Sequence, residues 1–578
     1  MIDRASFPRP DFIRKDITIL DGEWQFDFDD ENLGLKEKWY VSHDYGKRIT
    51  VPYPYQSELS GISDESIHPI MWYSCSISKM PNNGKRLFLC FGAVDNTADV
   101  FINGCHVSHH EGGYLPFSAD ITDYVKDEDD TITVRVEDYP DPSEIRGKQY
   151  WQKPDRCWYT GFSGIWQSVY LEERVDTYIS SVKFIPSTVD NTVEVRVSLS
   201  TQYPKETKVS CLITLRDKVI NESSLLIQGR EGKTVISLHG DDFIDEDSYW
   251  SPDNPVLYDV LLKTETGDEV YSYFGLREIE IRNGIIYLNN RPLYQRLVLN
   301  QGYYPKGHST PASIEDYKRD LLLTKEMGFN GVRMHQKIED PHFYYFADTL
   351  GFLVWGELPS GYLFSEHEQK SVMNQMTAFI DRDFNHPSII TWVPFNESWG
   401  VRKISLNKEQ QGFVEAIYSL IKSLDPTRLV DSNDGWEQVK SDILGIHDYA
   451  RDGEALSSHW KRGIDTLDDT VGWRPIYAQN HHYSGEPILL TEFGGIALST
   501  GEKEGEWGYD GIEKDSESFL KRLESLMLSI KENTLFQGFC YTQLTDVYQE
   551  INGLLDKDHN PKFNLQKIKE LMKIPGRN

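Results

Sequence analysis

The sequence predicts a multidomain chain: two antiparallel β-sandwiches, over residues 1–173 and 174–282, followed by a (β/α)8 barrel over 283–578. Three observations predict it. At 578 residues the chain is too long for one hydrophobic core, so several domains must divide it. Up to residue 282 it runs in short alternating segments with turn residues between them, as half-buried antiparallel strands do. Beyond 282, apolar runs of five to seven residues alternate with amphipathic stretches of helical length, which is how a parallel sheet covered by helices reads.

The first sandwich contains the runs GEWQFDFD, RLFLCFGA, ADVFIN, HVSHH, TITVRVEDY and IWQSVYLEE. Between two of them, Asn103-Gly104 predicts a tight hairpin, because both residues take positive φ at little cost. The second sandwich repeats the alternation more regularly in NTVEVRVSLS, KVSCLITLRD, KTVISLHG, LYDVLLKTE and EVYSYFG. Its span is that of an immunoglobulin-like domain.

Eight candidate buried strands follow: 294–300, 329–334, 352–357, 389–397, 428–433, 443–449, 487–492 and 538–544. Between the first two lies SIEDYKRDLLLTKEMG, where Ser313 with Asp316 offers an N-terminal cap and Ile314, Tyr317, Leu321, Leu322 and Met327 are expected to share a face. In such barrels the working side chains stand at the C-terminal ends of the strands. That rule selects Arg333 and His335, Glu357, Asn396 and Glu397, His447, Asp448 and Tyr449, and Glu492.

Composition narrows the function. Asp and Glu total 91 against 60 Lys and Arg, a net charge of −31 that repels nucleic acid and anionic membrane surfaces and favours a neutral substrate. No stretch approaches the roughly 18 apolar residues of a membrane span, and the opening MIDRASFPRPDFIRKD lacks the apolar segment of a secretory signal. Six cysteines without a CxxC pair suit reduced thiols, so a cytoplasmic protein is expected.

Two facing carboxylates are what glycosidic cleavage needs, one to protonate the leaving oxygen and one to support the oxocarbenium-like centre. Glu397 and Glu492 end strands four and seven, on opposite sides of the barrel. Taken alone, a strand-end glutamate is more often a helix cap or an arginine partner. Context favours chemistry: Glu397 directly follows Asn396, an amide able to hold a sugar 2-hydroxyl, and Glu492 precedes Phe493-Gly494-Gly495, which gives a substrate close access to backbone. As acid, Glu397 is expected to carry a raised pKa beside Trp392, Phe395 and Trp399 and near Glu492. Tyr449 can orient Glu492, Trp355, Trp399 and Tyr541 can stack on the sugar, and His335, Glu357 and His447 can meet its hydroxyls.

HPSIITWVPFNESWG (386–400) and EPILLTEFGG (486–495) resemble the acid/base and nucleophile signatures of glycoside hydrolase family 2, the β-galactosidases, β-glucuronidases and β-mannosidases. GFNGVRMHQKIEDPHFYYFADTLGFLVWGE (328–357) and CYTQLTDVYQEINGLLD (540–556) resemble its second-to-third and eighth strand regions. LDGEWQFDFD, VDNTADVFINGCHV and SGIWQSVYLE resemble its jelly-roll sugar-binding domain, and WSPDNPVLYDV and FGLREIEI its immunoglobulin-like domain. The resemblance covers essentially the whole chain. It implies a retaining exo-glycosidase with Glu397 as acid/base, Glu492 as nucleophile and Asn396 on the 2-hydroxyl, with self-association through the β domains common among relatives. No cofactor is expected, since the two carboxylates suffice for the chemistry, and a bound ion is expected to be structural rather than a participant.

Two rivals differ in class. A metal-dependent barrel hydrolase could draw on His335, His447, His481, His482 and Asp448, but the first strand ends Leu299-Asn300-Gln301 rather than in a His-x-His pair and no HExxH occurs. A carbohydrate-binding protein without turnover would have no need to keep both glutamates. Within the family, glucuronidases carry Asn-x-Lys after strand eight to grip the uronate, where this chain has Glu550-Ile551-Asn552. A neutral β-galactoside is therefore expected, with an α-L-arabinofuranoside next and a β-glucuronide disfavoured.

Overall fold

The computed structural model describes residues 2–126, 129–150, 154–200, 206–238, 248–471, 473–499, 501 and 505–574. The last two residues of the predicted run KTVISLHG and the last four of the barrel segment lie outside the described residues.

The front of the chain forms a sandwich of two antiparallel sheets. One sets Phe117–Asp120, Arg86–Phe91, Val169–Arg174 and Ile17–Ile19 side by side; the other has six strands with Ile70–Ile77 and Asp130–Glu137 at its centre. Trp24, Phe26, Tyr73, Leu89, Val100 and Val134 fill the space between them, the inward half of the alternation. Thr97–Ile102 and Cys105–Glu111 pair with Ile102 opposite Cys105, and the turn residues Asn103 and Gly104 have φ of 51° and 79°, the two left-handed positions such a hairpin requires.

The next sandwich packs a five-stranded sheet on the three strands Ile179–Ser187, Thr192–Leu199 and Glu231–Ser237. Its fifth member is Phe12–Ile13, from the chain's opening residues, paired with Glu269–Phe274. This strand stitches the front of the chain onto the second sandwich.

Eight parallel strands form the barrel: β1 Gln295–Asn300, β2 Gly331–Met334, β3 Leu353–Glu357, β4 Ile389–Val393, β5 Leu429–Val430, β6 Leu444–His447, β7 Ile488–Gly494 and β8 Phe536–Thr542. They hydrogen-bond in the order β5-β4-β3-β2-β1-β8-β7-β6, leaving the β5 to β6 seam unpaired among the described residues. Every candidate strand is present, but among the described residues seven α-helices follow them: α1 Ile314–Glu326, α2 Pro341–Leu350, α3 Glu366–Asp383, α4 Lys408–Leu424, α5 Gly453–His459, α6 Ser516–Glu532 and α7 Leu565–Met572. Residues 431–443, after β5, are an irregular loop instead of an eighth helix. Ile279, Ile286 and Leu288, from a small antiparallel sheet before β1, pack with Leu297, Leu353 and Ile390 and close the floor of the barrel.

Ser313 caps α1 reciprocally with Asp316. The face that α1 buries, however, is Tyr317, Asp320, Leu321 and Thr324, whereas Leu322 is 46% exposed. One residue on from Leu321 is a rotation of about 100°, which carries Leu322 off the buried stripe. No helix among the described residues is long and apolar enough to cross a membrane, and all six cysteines are free.

Candidate active site

The C-terminal ends of β2, β3, β4, β6 and β7 converge on one arginine. Arg333 on β2 is fully buried; its Nε donates to Glu357 Oε2 at 2.8 Å, its Nη1 reaches Glu492 Oε1 at 3.0 Å and Asp434 Oδ2 at 2.5 Å, and its Nη2 donates to Asn396 Oδ1 at 2.7 Å. A planar fork fixes several partners at once in a way a lysine cannot. His335 Nδ1 lies 3.1 Å from both Arg333 Nη2 and Glu357 Oε1. Burial and the charges of Lys148 and Arg333 hold that imidazole well below its ordinary pKa, so it is neutral. Burial lifts the Glu357 carboxyl, against the pull of Arg333.

His447, at the end of β6, stands between the two predicted catalytic carboxylates. Its Nδ1 is 2.8 Å from Glu397 Oε1; its Nε2 is 3.1 Å from Asp434 Oδ2 and 3.4 Å from Glu492 Oε1. Ligand atoms of Glu397, His447 and Glu492 all fall within 4.8 Å of one another, so the two carboxylates face each other across a short gap. Burial disfavours charge on His447, but Glu492 and Asp434 outweigh it and push the pKa up to about 10.

Glu397 is the less buried of the pair, with 18% of its side chain exposed against 4% for Glu492. The backbone here is strained: Glu397 and Ser398 have φ of 51° and 58°, held by Glu397 N–H donating to Asp434 O at 2.9 Å and Ser398 N–H to Asn433 Oδ1 at 2.9 Å. The expected raised pKa is not found. Burial does push Glu397 up, but its bond to His447 and the positive charges of His447, Lys148 and Arg333 bring it below the ordinary value. Trp392, expected as an apolar wall for Glu397, instead turns its Nε1 to Asp425 at 2.8 Å.

The Tyr449 hydroxyl donates to Glu492 Oε2 and sits 3.2 Å from Thr542 Oγ1, with its ring stacked at 3.8 Å on Tyr509. Asn396 turns its Oδ1 to Arg333 and leaves its Nδ2 without a protein partner, a buried donor free for a ligand hydroxyl. Trp399 is half-buried at the rim, edge-to-face with Trp158 at 4.8 Å and Tyr362 at 5.3 Å.

Two expected stacking residues are placed elsewhere. Trp355 is fully buried inside the barrel among Leu297, Leu299 and Leu353, with its Nε1 donating to Gln295 Oε1 at 2.7 Å. It lies one inward step below Glu357, too deep to meet a sugar. Tyr541 points the other way, off the outer face of β8, edge-to-face with Phe493 at 5.6 Å.

Sequence profiles match along the chain: the glycosyl hydrolases family 2 sugar binding domain over residues 17–174, the family's central domain over 177–277 and its TIM barrel domain over 279–574. The chain belongs to glycosyl hydrolase family 2. Relatives within it include a β-galactosidase of Thermoanaerobacter pseudethanolicus, 29% identical over 66% of this chain and 50% of the relative. Another is a β-glucuronidase of Bacteroides fragilis, 26% identical over 72% of this chain and 60% of the relative. The chain spans about half the length of the first curated relatives it matches. The fold is that of a Lactobacillus rhamnosus β-glucuronidase, with TM-score 0.79 and 21% identity over 98% of both chains.

Three residues of this family 2 site escape a reading by strand ends. Asp434 lies in the loop after β5, where it takes Thr491 Oγ1 at 2.5 Å besides Arg333 and His447; strand five was expected to end one residue earlier. Lys148 comes from the first sandwich. Burial works against its charge, but Cys157, Glu550, Glu397 and Glu492 raise its pKa. Glu550 is fully buried, accepts from Tyr159 OH at 2.5 Å and Asn552 Nδ2 at 2.9 Å, and is pushed up to about 7 by burial.

Proposed function

We propose that the protein is a retaining exo-glycosidase that removes the terminal non-reducing sugar of a neutral β-glycoside, most closely a β-galactoside. The observation that carries the reading is the gap of under 4.8 Å between oxygens of Glu397 and Glu492. Carboxyl groups roughly 5 to 5.5 Å apart leave room for direct attack on the anomeric carbon, whereas inversion needs roughly 6.5 to 9.5 Å to seat a water between them.

Glu492 is the nucleophile: it is the more buried, and Tyr449 and Arg333 aim its two oxygens. Glu397 is the acid/base. The proton of the Glu397–His447 pair rests on the imidazole, and its transfer to Glu397 readies that carboxyl for the leaving oxygen. As the Glu492 oxygen bonds to the anomeric carbon, the protonated leaving group departs and the sugar stays on Glu492 as a glycosyl-enzyme. Glu397, now ionised beside His447, takes a proton from the water that releases the sugar and restores Glu492. Asn396 Nδ2 donates to the 2-hydroxyl.

A neutral sugar fits the local charge better than a uronate. Glu357, Glu397, Asp434, Glu492 and Glu550 cluster about the reacting centre, and the cations among them, Arg333, His447 and Lys148, are already set against these carboxylates. No bound metal takes part in the chemistry, for which the two carboxylates suffice; six free cysteines fit a cytoplasmic setting. A panel of nitrophenyl glycosides tests the reading. Hydrolysis of a neutral member with retained configuration, lost at least a thousandfold in Glu492→Gln, is expected; no turnover of any neutral member would refute it.

A further inference from the structure

Beside the catalytic pair opens a cavity of about 520 Å3 whose walls include His447, Tyr449, Trp436 and Trp473. His447 and Tyr449 are the side chains bonded to Glu397 and Glu492, so the cavity lies against the immediate partners of the reacting pair. Two features of its outer part have no role in the chemistry above. Trp473 is 70% exposed, an indole left in water at a cost in apolar surface. Trp436 is only 5% exposed, and its Nε1 is buried without a protein partner.

These two rings are fixed. Glu437 N–H donates to Pro475 O at 2.9 Å and Gln438 N–H to Ile476 O at 2.8 Å, joining the chain after Trp436 to the chain after Trp473. Their centroids lie 6.2 Å apart with planes inclined at 59°, so they form a corner rather than a stack. The corner is also tied to the acid/base loop. Arg474 reaches Glu437 at 3.1 Å, Glu437 accepts from Ser398 Oγ at 2.6 Å, and Ser398 follows Glu397.

We propose that Trp436 and Trp473 form the leaving-group subsite and that its occupant is a neutral sugar ring, so that the physiological substrate is a di- or oligosaccharide. The inference rests on Glu397 being the acid, because the acid protonates the leaving oxygen and the leaving group must lie on its side. Trp436 is on that side: the next residue, Glu437, accepts from Ser398, which follows Glu397. A pyranose suits a corner of this kind: its C–H face lies on one indole while a hydroxyl accepts from the Nε1–H of the other. Asp469, Asp510 and Thr470 supply acceptors around it, and the carboxylates discourage an anionic leaving group.

The test compares a disaccharide with the glycosyl fluoride of the same non-reducing sugar, whose one-atom leaving group does not reach the corner. Trp473→Ala is expected to lower the ratio of kcat/KM for the disaccharide to that for the fluoride on the order of tenfold or more, and Trp473→Phe to restore most of it. A ratio unchanged from the parent, whether both activities hold or both fall, would overturn the subsite. Calorimetric titration of Glu492→Gln with the disaccharide, with and without Trp473→Ala, reads the subsite without turnover. On the order of tenfold weaker binding is expected, and unchanged binding overturns the proposal. Failure of the parent on every glycoside would instead strike at the catalytic reading.

Discussion

His447 Nδ1 lies 2.8 Å from Glu397 Oε1, and of the two it is the imidazole that holds the proton. Burial lifts the carboxyl, but the cation beside it prevails; burial opposes the imidazolium, but Glu492 and Asp434 prevail. The acid/base therefore titrates as a pair, and a macroscopic pKa of the pair is not that of a lone glutamate.

With one proton on the pair the enzyme is competent for glycosylation, and that proton leaves near the His447 value of about 10. The basic limb of kcat/KM should accordingly fall well on the alkaline side. In His447→Asn the proton can reside only on Glu397, so the limb should move to lower pH. A pH profile of both proteins on the preferred nitrophenyl glycoside checks the shift; an unmoved limb would contradict a shared proton.

The same residue makes a stability prediction. Its folded pKa is raised above the unfolded imidazole's 6.5 to about 10, so the folded state binds the proton more tightly. That contribution is complete below the unfolded pKa and is lost as pH rises through the folded one. Denaturant midpoints should show His447→Asn most destabilised near pH 6 and the gap narrowing as pH approaches 10.

Much of this site was legible in the sequence, for a reason that also marks the limit. Glu397 and Glu492 each follow an apolar run near the C-terminal end of a barrel strand, four residues beyond β4 and within the last three residues of β7, and a polar residue there must leave the core toward the mouth. Within a strand the argument weakens. Barrel strands are apolar on both faces, so alternation cannot say which parity looks inward. Trp355 falls with Leu353 and Glu357 on the inner face, deep below the mouth, and Tyr541 falls opposite Cys540, on the outer one. Asp434 comes from the loop after the two-residue β5, and Lys148 and Tyr159 reach the site only because the first sandwich docks on the barrel, a long-range contact no local pattern encodes.

Arg333→Met should cost both stability and activity. The guanidinium is fully buried and is the ion-pair partner of Glu357, Asp434 and Glu492 together. Removing one partner of a buried pair costs about 3 to 5 kcal/mol, and here Glu357 loses its cation while Asp434 and Glu492 are left with His447. Urea denaturation is the check, with at least about a hundredfold loss of kcat/KM in whatever protein still folds, since Asn396 and Glu492 also lose their alignment.

Trp355→Phe separates a floor residue from a sugar platform. The indole Nε1 bonds Gln295 inside the barrel, so the substitution leaves a small void and an unpaired amide oxygen. A loss of about 1 to 3 kcal/mol in unfolding free energy is expected, with KM within about twofold of the parent. A KM rise of tenfold or more at unchanged stability would return Trp355 to the substrate.

The Nδ2 of Asn396 is the buried donor without a protein partner that lies nearest in sequence to the acid/base, which makes the 2-hydroxyl contact open to a double test. Asn396→Ala should lower kcat by about a hundredfold or more, because that bond strengthens as the oxocarbenium character develops. A 2-deoxy glycoside should suffer a comparable loss in the parent. If the amide and the hydroxyl act on one another, combining the two changes costs little more than either alone, since the interaction can be removed only once. Arg333 complicates the protein side of the cycle, as it loses Asn396 Oδ1 at 2.7 Å in the variant. Asn396→Asp separates the effects: it keeps an acceptor for Arg333 and loses the donor. Strict additivity of Asn396→Asp with the 2-deoxy substrate would dismiss the contact.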